Sequence, residues 1–466
     1  MTAAVDLKQS SLLQPPAEYD VLQKLGLLYL VIFLYALVSR ILDIQLYSLH
    51  IPLITSILAA VTALLSGRLV VGIKSKVGIL YLILTALFIV GIPFGVWPGG
   101  SVALLKSRWF NTLMAWLLVA GIPASFRQSK RILHTIAWGV ITAAVLGLKY
   151  GRITVEGRLA LEVGRLKNPN EYASTLLLGL PFIWLLYTQQ RNPFRRVAVA
   201  GLGGFVLMML LKAGSREALI GLICIILFAW LRMPVITKLA SAIAIVLCAA
   251  LAFSLLPPTL RSRYLTFGSA DLSGASSATE ETAIGFAASS TLSRKTLLEE
   301  SLKMTLHHPV FGVGMGNFSS AQNAEAQKRG LRGIWLGTHN TYTQISSEAG
   351  IPAFCVFIAI LVLAWRPLSK LYRQTRRDPR PAVRDISNAA LATQLCLASF
   401  IVYLCFDHVA YDAWCHVTIA CALIIAREGN AELARLNAAS KAIVDVPADP
   451  RLYARPAFSP ALPSMS

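Results

Sequence analysis

The feature that most constrains the fold is a succession of apolar segments, each close to the length that a helix needs to cross a lipid bilayer. Twelve such segments are found, at about residues 25–40, 48–66, 77–97, 110–126, 132–149, 172–190, 197–212, 217–231, 239–256, 341–365, 388–406 and 411–426. Hydrophobic residues make up 56% of the chain and charged residues only 14%, so a soluble protein could not cover itself with polar surface. The sequence therefore predicts an all-α polytopic membrane protein with about twelve transmembrane helices.

The basic residues predict the orientation of these helices. The formal net charge is +20, which in a soluble protein would suggest a nucleic-acid partner. Here 18 of the 43 lysines and arginines lie in short loops on one side of the predicted bundle, at residues 68–76, 127–131, 191–196, 232–238 and 366–384. Cytoplasmic loops carry such an excess of positive charge. The pattern explains much of the charge without nucleic acid and places both termini in the cytoplasm.

The same pattern predicts the domain organisation. Residues 1–24 form a cytoplasmic N-terminus without a cleavable signal peptide, and residues 25–256 hold the first nine spans. A large periplasmic loop of residues 257–340 is followed by the last three spans in residues 341–427. Residues 428–466 form a cytoplasmic tail that we expect to be largely disordered.

The large loop is predicted to be partly helical. Residues 269–290 are of low complexity, and we expect them to be mobile. Leu298, Leu302 and Leu306 then recur every four residues, which lays an apolar stripe along a helix that starts near Ser293. Such a helix either lies on the membrane surface or packs over the bundle.

Two arginines at predicted helix starts suggest an anion site on the periplasmic face. Arg216 begins the eighth apolar segment, and Arg294, with Lys295 beside it, opens the loop helix. A cation is unfavourable at a helix N-terminus unless an anion lies near. An interfacial or solvated arginine explains each one singly, but the pair suits bidentate contacts with phosphate groups.

His339 and Asn340 lie where the tenth segment begins. A lone histidine is most often a structural hydrogen-bonding residue. Beside the arginines and at a helix start its pKa should be lowered, so a neutral ring could accept a proton from a sugar hydroxyl. Asp and Glu residues are scattered in the predicted periplasmic loops, so we predict no catalytic metal and expect arginines to neutralise the leaving group.

Two further stretches have both structural and functional interpretations. Arg158 and Arg165 precede a turn at residues 168–172, which is either a simple polar loop or a basic docking surface for an acidic acceptor. The glycine run at residues 312–316 lacks the Lys-Ser/Thr of a phosphate loop. We expect it to form a tight turn that brings His339 toward the arginines.

Together, four motifs resemble the O-antigen ligase and polymerase superfamily over about residues 150–365. They are Asn168-Pro-Asn-Glu-Tyr-Ala173, Gly214-Ser-Arg-Glu217, Arg294 before the run from His308 to Phe318, and His339-Asn340. The resemblance implies a GT-C-type membrane glycosyltransferase without a cofactor, acting on an undecaprenyl-diphosphate-linked glycan. It also implies that Arg216 and Arg294 hold the donor diphosphate, that His339 is the base, and that transfer is metal-independent and inverting.

Within that superfamily we favour the ligase that attaches glycan to lipid A-core in the bacterial inner membrane, because the chain shows no large additional periplasmic domain. An O-antigen polymerase or a protein O-oligosaccharyltransferase remains an alternative. A lipid-linked glycan transporter and a non-catalytic scaffold are alternatives of other classes. The transporter is disfavoured because the middle segments carry almost no ionisable residues.

Overall fold

A computed structural model describes residues 21–265 and 278–444. This part of the chain consists almost entirely of helices, so the prediction of an all-α membrane protein is confirmed. The predictions for the extreme N-terminus, for residues 266–277 of the low-complexity stretch and for the end of the tail lie outside the described residues. Residues 428–444 of the tail, which we expected to be disordered, are helical, and the loop helix begins at Ala278 rather than near Ser293.

The first half of the bundle contains eight α-helices. In chain order they are α1 (Val21–Ser39), α2 (Ile41–Gln45), α3 (Ile51–Leu65), α4 (Arg68–Ile73), α5 (Lys76–Gly91), α6 (Pro98–Leu104), α7 (Phe110–Gly121) and α8 (Phe126–Tyr150). Turns of 3₁₀ helix follow α2 and α5 at Tyr47–Leu49 and Ile92–Phe94, and a π-helical turn, Leu105–Trp109, joins α6 to α7.

A small antiparallel hairpin of β1 (Gly151–Ile153) and β2 (Leu159–Leu161) precedes the second half, with a 3₁₀ turn at Gly164–Lys167. The remaining helices are α9 (Pro169–Gln189), α10 (Pro193–Lys212), α11 (Arg216–Leu231), α12 (Val235–Ser254), α13 (Pro258–Leu265), α14 (Ala278–His307), α15 (Phe318–Lys328), α16 (Thr341–Thr375), α17 (Pro381–Tyr403) and α18 (Ala413–Val444).

Seven of the described helical segments are long and apolar enough to cross a membrane. They correspond to α1, α5 with its following turn, α8, α10, α12, α16 and α17. The other five predicted segments also coincide with helices, namely α3, α7, α9, α11 and α18. Because α3 has only 15 residues and the others fail the same criterion, the full number of twelve spans stays a prediction.

The helices begin where the sequence provides caps. Ser215 accepts a hydrogen bond from the backbone N–H of Ala218 at the start of α11, at 3.3 Å. The central helix is α17, which packs against α9, α11, α16 and α18 and is buried along most of its length. At the other extreme, α12 buries none of its side chains, as expected for a helix that faces lipid at the rim of a bundle.

The loop helix α14 packs on α13 and α16 through the side opposite the predicted leucine stripe. Leu297 is fully buried, whereas Leu298, Leu302 and Leu306 are 37%, 48% and 74% exposed. The stripe therefore does not pack over the described bundle. Of the two alternatives for this helix, contact with the membrane surface remains as a prediction.

The glycine run forms the expected tight turn and docks on a kink of α16. Gly312, Gly314 and Gly316 adopt φ of 66°, 99° and 74°, a region that favours glycine. The N–H of Val313 donates to the carbonyl of Ser347 at 2.8 Å, within the first turns of α16. The kink lies at Gly350, whose φ is 83°.

Gly350→Ala should destabilise the fold, because an added Cβ would lie 2.1 Å from the carbonyl oxygen of Val310 and the backbone is left-handed. Left-handed strain alone costs about 1–3 kcal/mol, before the clash is counted. We expect a clearly lower thermal unfolding temperature in detergent. Gly204→Ala in α10 is the matched control, since nothing lies within 4 Å of its added Cβ. Equal unfolding temperatures for the two variants would contradict this prediction.

Candidate functional site

Four arginines, Arg158, Arg216, Arg263 and Arg294, surround the two carboxylates of Glu156 and Glu217. Arg294 of α14 forms an ion pair with the buried Glu217 of α11. From α13, Arg263 contacts Glu156 with Nη1 to Oε2 at 2.9 Å, and Arg158 lies 3.6 Å from the same oxygen. The cluster therefore joins a bundle helix, the hairpin and both flanks of the loop.

The turn between α10 and α11 is held by the buried members of this cluster. Arg158 Nε donates to the carbonyl of Ala213 and Arg263 Nε to that of Gly214, both at 3.0 Å. Gly214 has a φ of 61°, so the turn itself depends on glycine. This turn fixes the first residue of α11, Arg216, whose Nη2 donates to Thr291 Oγ1 of α14 at 3.0 Å.

The four guanidinium groups outnumber the two carboxylates, so the cluster carries excess positive charge. Burial and the charge of Arg263 lower the pKa of Arg158 to about 10. The guanidinium stays charged at neutral pH, although its neighbours disfavour that charge. A bound anion would relieve this repulsion, and phosphate oxygens match the fork of an arginine.

His339 lies beside this cluster in a left-handed backbone conformation, with a φ of 49°. Burial first, and then the charges of His408 and Arg294, lower its pKa to about 4. The direction agrees with the expectation from the sequence. The ring is therefore neutral at physiological pH and able to accept a proton.

The sequence analysis missed the partner of His339. The rings of His339 and His408 meet edge to face, with centroids 5.0 Å apart. His408 Nδ1 lies 3.3 Å from Asp407 Oδ1, and its backbone N–H donates to the same oxygen at 2.8 Å. The other carboxylate oxygen of Asp407 accepts from the hydroxyl of Tyr403.

These contacts shift the two groups in opposite directions. Although burial alone would raise it, the contacts with His408 and Tyr403 hold the pKa of Asp407 below its ordinary value. Although burial alone would lower it, the carboxylate of Asp407 raises the pKa of His408. The pKa is thus lowered for His339 and raised for the neighbouring His408. Ionisable residues at the end of an apolar segment are the sequence signal that could have indicated Asp407 and His408.

The tertiary structure also gathers residues that the sequence shows as scattered. Ligand atoms of His339, Asp407 and His408 lie within 4.8 Å of one another, an arrangement that could hold a metal ion. Asp407, one of the acidic residues that are scattered along the sequence, therefore lies beside two histidines in three dimensions. Metal-independent chemistry stays a prediction, because these three side chains could either bind a metal ion or act without one.

The remaining predicted site residues have other contacts. Arg165 binds Glu171 Oε2 at 2.5 Å and Asp412 Oδ1 at 2.8 Å. It shares neither carboxylate with Arg158, which is buried, whereas the side chain of Arg165 is 33% exposed. The alternative of a basic docking surface for an acidic acceptor stays a prediction. Asn340 caps α16, since its Oδ1 accepts from the N–H of Tyr342 at 3.0 Å. Lys295 is exposed beside Arg294.

The helices and this polar site at one end of the bundle define a polytopic membrane protein with a cluster of arginines beside a histidine whose pKa is lowered. Residues 201–358 match the family model described as O-antigen ligase. The match confirms the resemblance to the O-antigen ligase and polymerase superfamily, and its residues include Arg216, Arg294 and His339. A comparison with curated proteins gave no match.

Glu217→Ala should destabilise the protein, because it leaves Arg294 and its neighbours without their central carboxylate. Breaking a buried ion pair costs roughly 3–5 kcal/mol. The thermal unfolding temperature measures the effect. Glu325→Ala is the control, since the side chain of Glu325 is 42% exposed and pairs at the surface with Arg329, at 2.9 Å, and with Lys328, at 3.7 Å. A Glu217→Ala protein as stable as the control would show that the ion pair does not support the cluster.

Proposed function

We propose that this protein is an O-antigen ligase, which transfers a glycan from an undecaprenyl-diphosphate-linked donor to lipid A-core on the periplasmic face of the bacterial inner membrane. The observation that carries the proposal is the placement of four arginines, with an excess of positive charge, beside a histidine whose pKa is lowered to about 4. Transfer of sugar from a lipid diphosphate needs both a stabilised anionic leaving group and a base for the acceptor hydroxyl.

The arginine cluster would hold the donor diphosphate. Arg216 and Arg294 are the partly exposed members, whereas Arg158 and Arg263 are buried behind them. We therefore assign the direct phosphate contacts to the first two. The buried pair fixes the α10–α11 turn and adds positive charge.

The reaction would be a single displacement with inversion. His339 takes the proton of the acceptor hydroxyl while the acceptor oxygen forms a bond to the anomeric carbon of the donor sugar. The bond from that carbon to the diphosphate oxygen breaks, and its electron pair leaves with the diphosphate. The arginines stabilise the charge that develops on this leaving group.

The contacts around Asp407 favour a mechanism without a metal ion. Its two oxygens already accept hydrogen bonds, one from the backbone N–H of His408 and the other from Tyr403. The guanidinium of Arg294 also lies near enough to His339 to lower its pKa. A divalent cation would compete with the hydrogen bonds and be repelled by the arginine.

The basic loops support a periplasmic position for this site, since they would place the large loop opposite the cytoplasm. Nucleotide sugars are not available there, so the donor must already be activated by attachment to a lipid diphosphate. An undecaprenyl-linked glycan meets that requirement.

Arg216→Ala, Arg294→Ala and His339→Ala should each lower the rate of transfer by about a hundredfold or more, since each removes a charge or base used in the transition state. Arg195→Ala, at an exposed position at the start of α10, should keep the parental rate. Rates would be measured with purified protein, lipid-linked glycan and lipid A-core. Near-parental transfer by all three site variants would refute the proposal.

The products of the same assay, with divalent metal chelated, separate the alternatives. A ligase moves the whole glycan onto lipid A-core in one step, which appears as a single shift in gel mobility. A polymerase would give a ladder of longer lipid-linked glycans. A requirement for added metal would overturn the metal-independent mechanism, and glycan movement across liposomes without transfer would indicate a transporter.

The pH dependence of transfer should show an acid limb near pH 4, because His339 acts as a base only when neutral and its pKa is about 4. The rate should stay almost constant between about pH 8 and 5 and fall at lower pH. A base with the ordinary pKa of histidine would instead lose activity already near pH 6.5. Initial rates in detergent, with stability checked at each pH, measure this. An acid limb centred near pH 6.5 would contradict the role of the buried ring.

A further inference from the structure

A cleft lies next to the α17–α18 loop, which carries Asp407 and His408. Its volume is about 290 Å³. One wall is apolar and comes from α1 and the start of α18, with Leu37 and Trp414 as examples, while Arg108, Arg165 and Asp412 supply charge. Such a mixture of apolar surface with a few convergent polar groups is typical of ligand sites.

The α17–α18 loop separates this cleft from the base by only a few residues. Asp407 and His408 face His339, whereas Tyr411 and Asp412 line the cleft. The charge of Asp407 reaches Arg165 in the cleft wall. The cleft and His339 therefore both border this short loop.

Arg108 is the cation of the cleft whose charge is least neutralised by a carboxylate. Its side chain is 64% exposed, and its contact with Asp412 is long, at 4.0 Å. Asp412 is already held by Arg165 at 2.8 Å, which leaves little of its charge for Arg108. Arg108 also lies in the π-helical turn Leu105–Trp109, and such turns often occur at functional sites.

An unpartnered donor also lies in the wall of this cleft. The indole Nε1 of Trp414 is buried and has no hydrogen-bond partner among the described residues. A buried donor without a partner is unusual in a folded protein and calls for an explanation. The exposed side chains of Ser107 and Asn111 also line the cleft. Their hydroxyl and amide groups can form hydrogen bonds with sugar hydroxyls.

We propose that this cleft binds the headgroup of the acceptor glycolipid, as a sugar that bears an anionic group such as phosphate, with Arg108 as the contact of that anion. The inference rests on the proposed function. It assigns the donor to the arginine cluster and the acceptor to the cleft, which borders the same α17–α18 loop as His339. Arg108 is then a specificity residue that the sequence motifs do not reveal.

The test is direct binding to the full-length protein in nanodiscs of zwitterionic lipid, without donor, so that no turnover is needed. The probes are the water-soluble phosphorylated headgroup of lipid A-core, freed of its acyl chains, and the same headgroup after phosphatase treatment. Arg108→Ala should weaken binding of the phosphorylated probe about tenfold and change binding of the dephosphorylated probe little. Ser107→Trp, which fills the cleft, should weaken both, and Arg195→Ala should change neither.

Unchanged binding of both probes to Arg108→Ala and Ser107→Trp would overturn the proposal. The same binding to nanodiscs that contain phosphatidylglycerol tests the other source of phosphate. If the anionic lipid abolishes the dependence on Arg108 by competing with the probe, the cleft binds a bilayer headgroup and the acceptor assignment is wrong. Arg108-dependent binding without any glycan transfer would instead retain the cleft and refute the ligase function, so the two failures are distinguishable.

Discussion

The ion pair between Glu217 and Arg294 is the interaction on which the rest of the site depends. It joins α11 of the bundle to α14 of the large loop, and Glu217 is only 2% exposed, whereas Arg294 is 24% exposed. A carboxylate in this position is tolerated because guanidinium groups surround it, and those groups are held together because the carboxylate offsets part of their repulsion. The same pairing places Arg294 where its charge adds to the burial and to the charge of His408 that lower the pKa of His339.

A second set of contacts holds the loop against the bundle. The buried Glu348 of α16 accepts hydrogen bonds from the N–H groups of Gly316 and Phe318, at 3.0 and 3.2 Å, and from the hydroxyl of Tyr411 at 2.7 Å. One side chain thus ties the glycine turn and the α17–α18 loop to the same helix. The left-handed glycines make this close approach possible, because a side chain at Gly312 would meet the backbone of α16. The position of His339 at the start of α16 follows from this anchoring.

The architecture separates two kinds of recognition. The arginine cluster, with its excess of charge, suits a diphosphate. Next to the α17–α18 loop, the cleft near Arg108 combines one available cation with hydroxyl, amide and apolar groups, which suits a charged sugar. His339, with its pKa lowered, contacts His408 of this loop, and Asp407 holds His408 in place. The proposed transfer between two lipid-anchored substrates would use such a division, because both substrates must reach one base.

The sequence by itself determined the membrane class, the helical segments and the glycine turn, because hydropathy and turn residues are local properties of a chain. It also pointed to Arg216, Arg294 and His339 as candidate site residues, and that choice stays a prediction. It did not reveal that Arg158 and Arg263 join the first two arginines, or that Asp407 and His408 meet His339. Those contacts are made between residues far apart in the chain and depend on how α11, α14 and α17 pack. The cleft near Arg108 was hidden for the same reason, since a cavity exists only where several helices fail to fill the space between them.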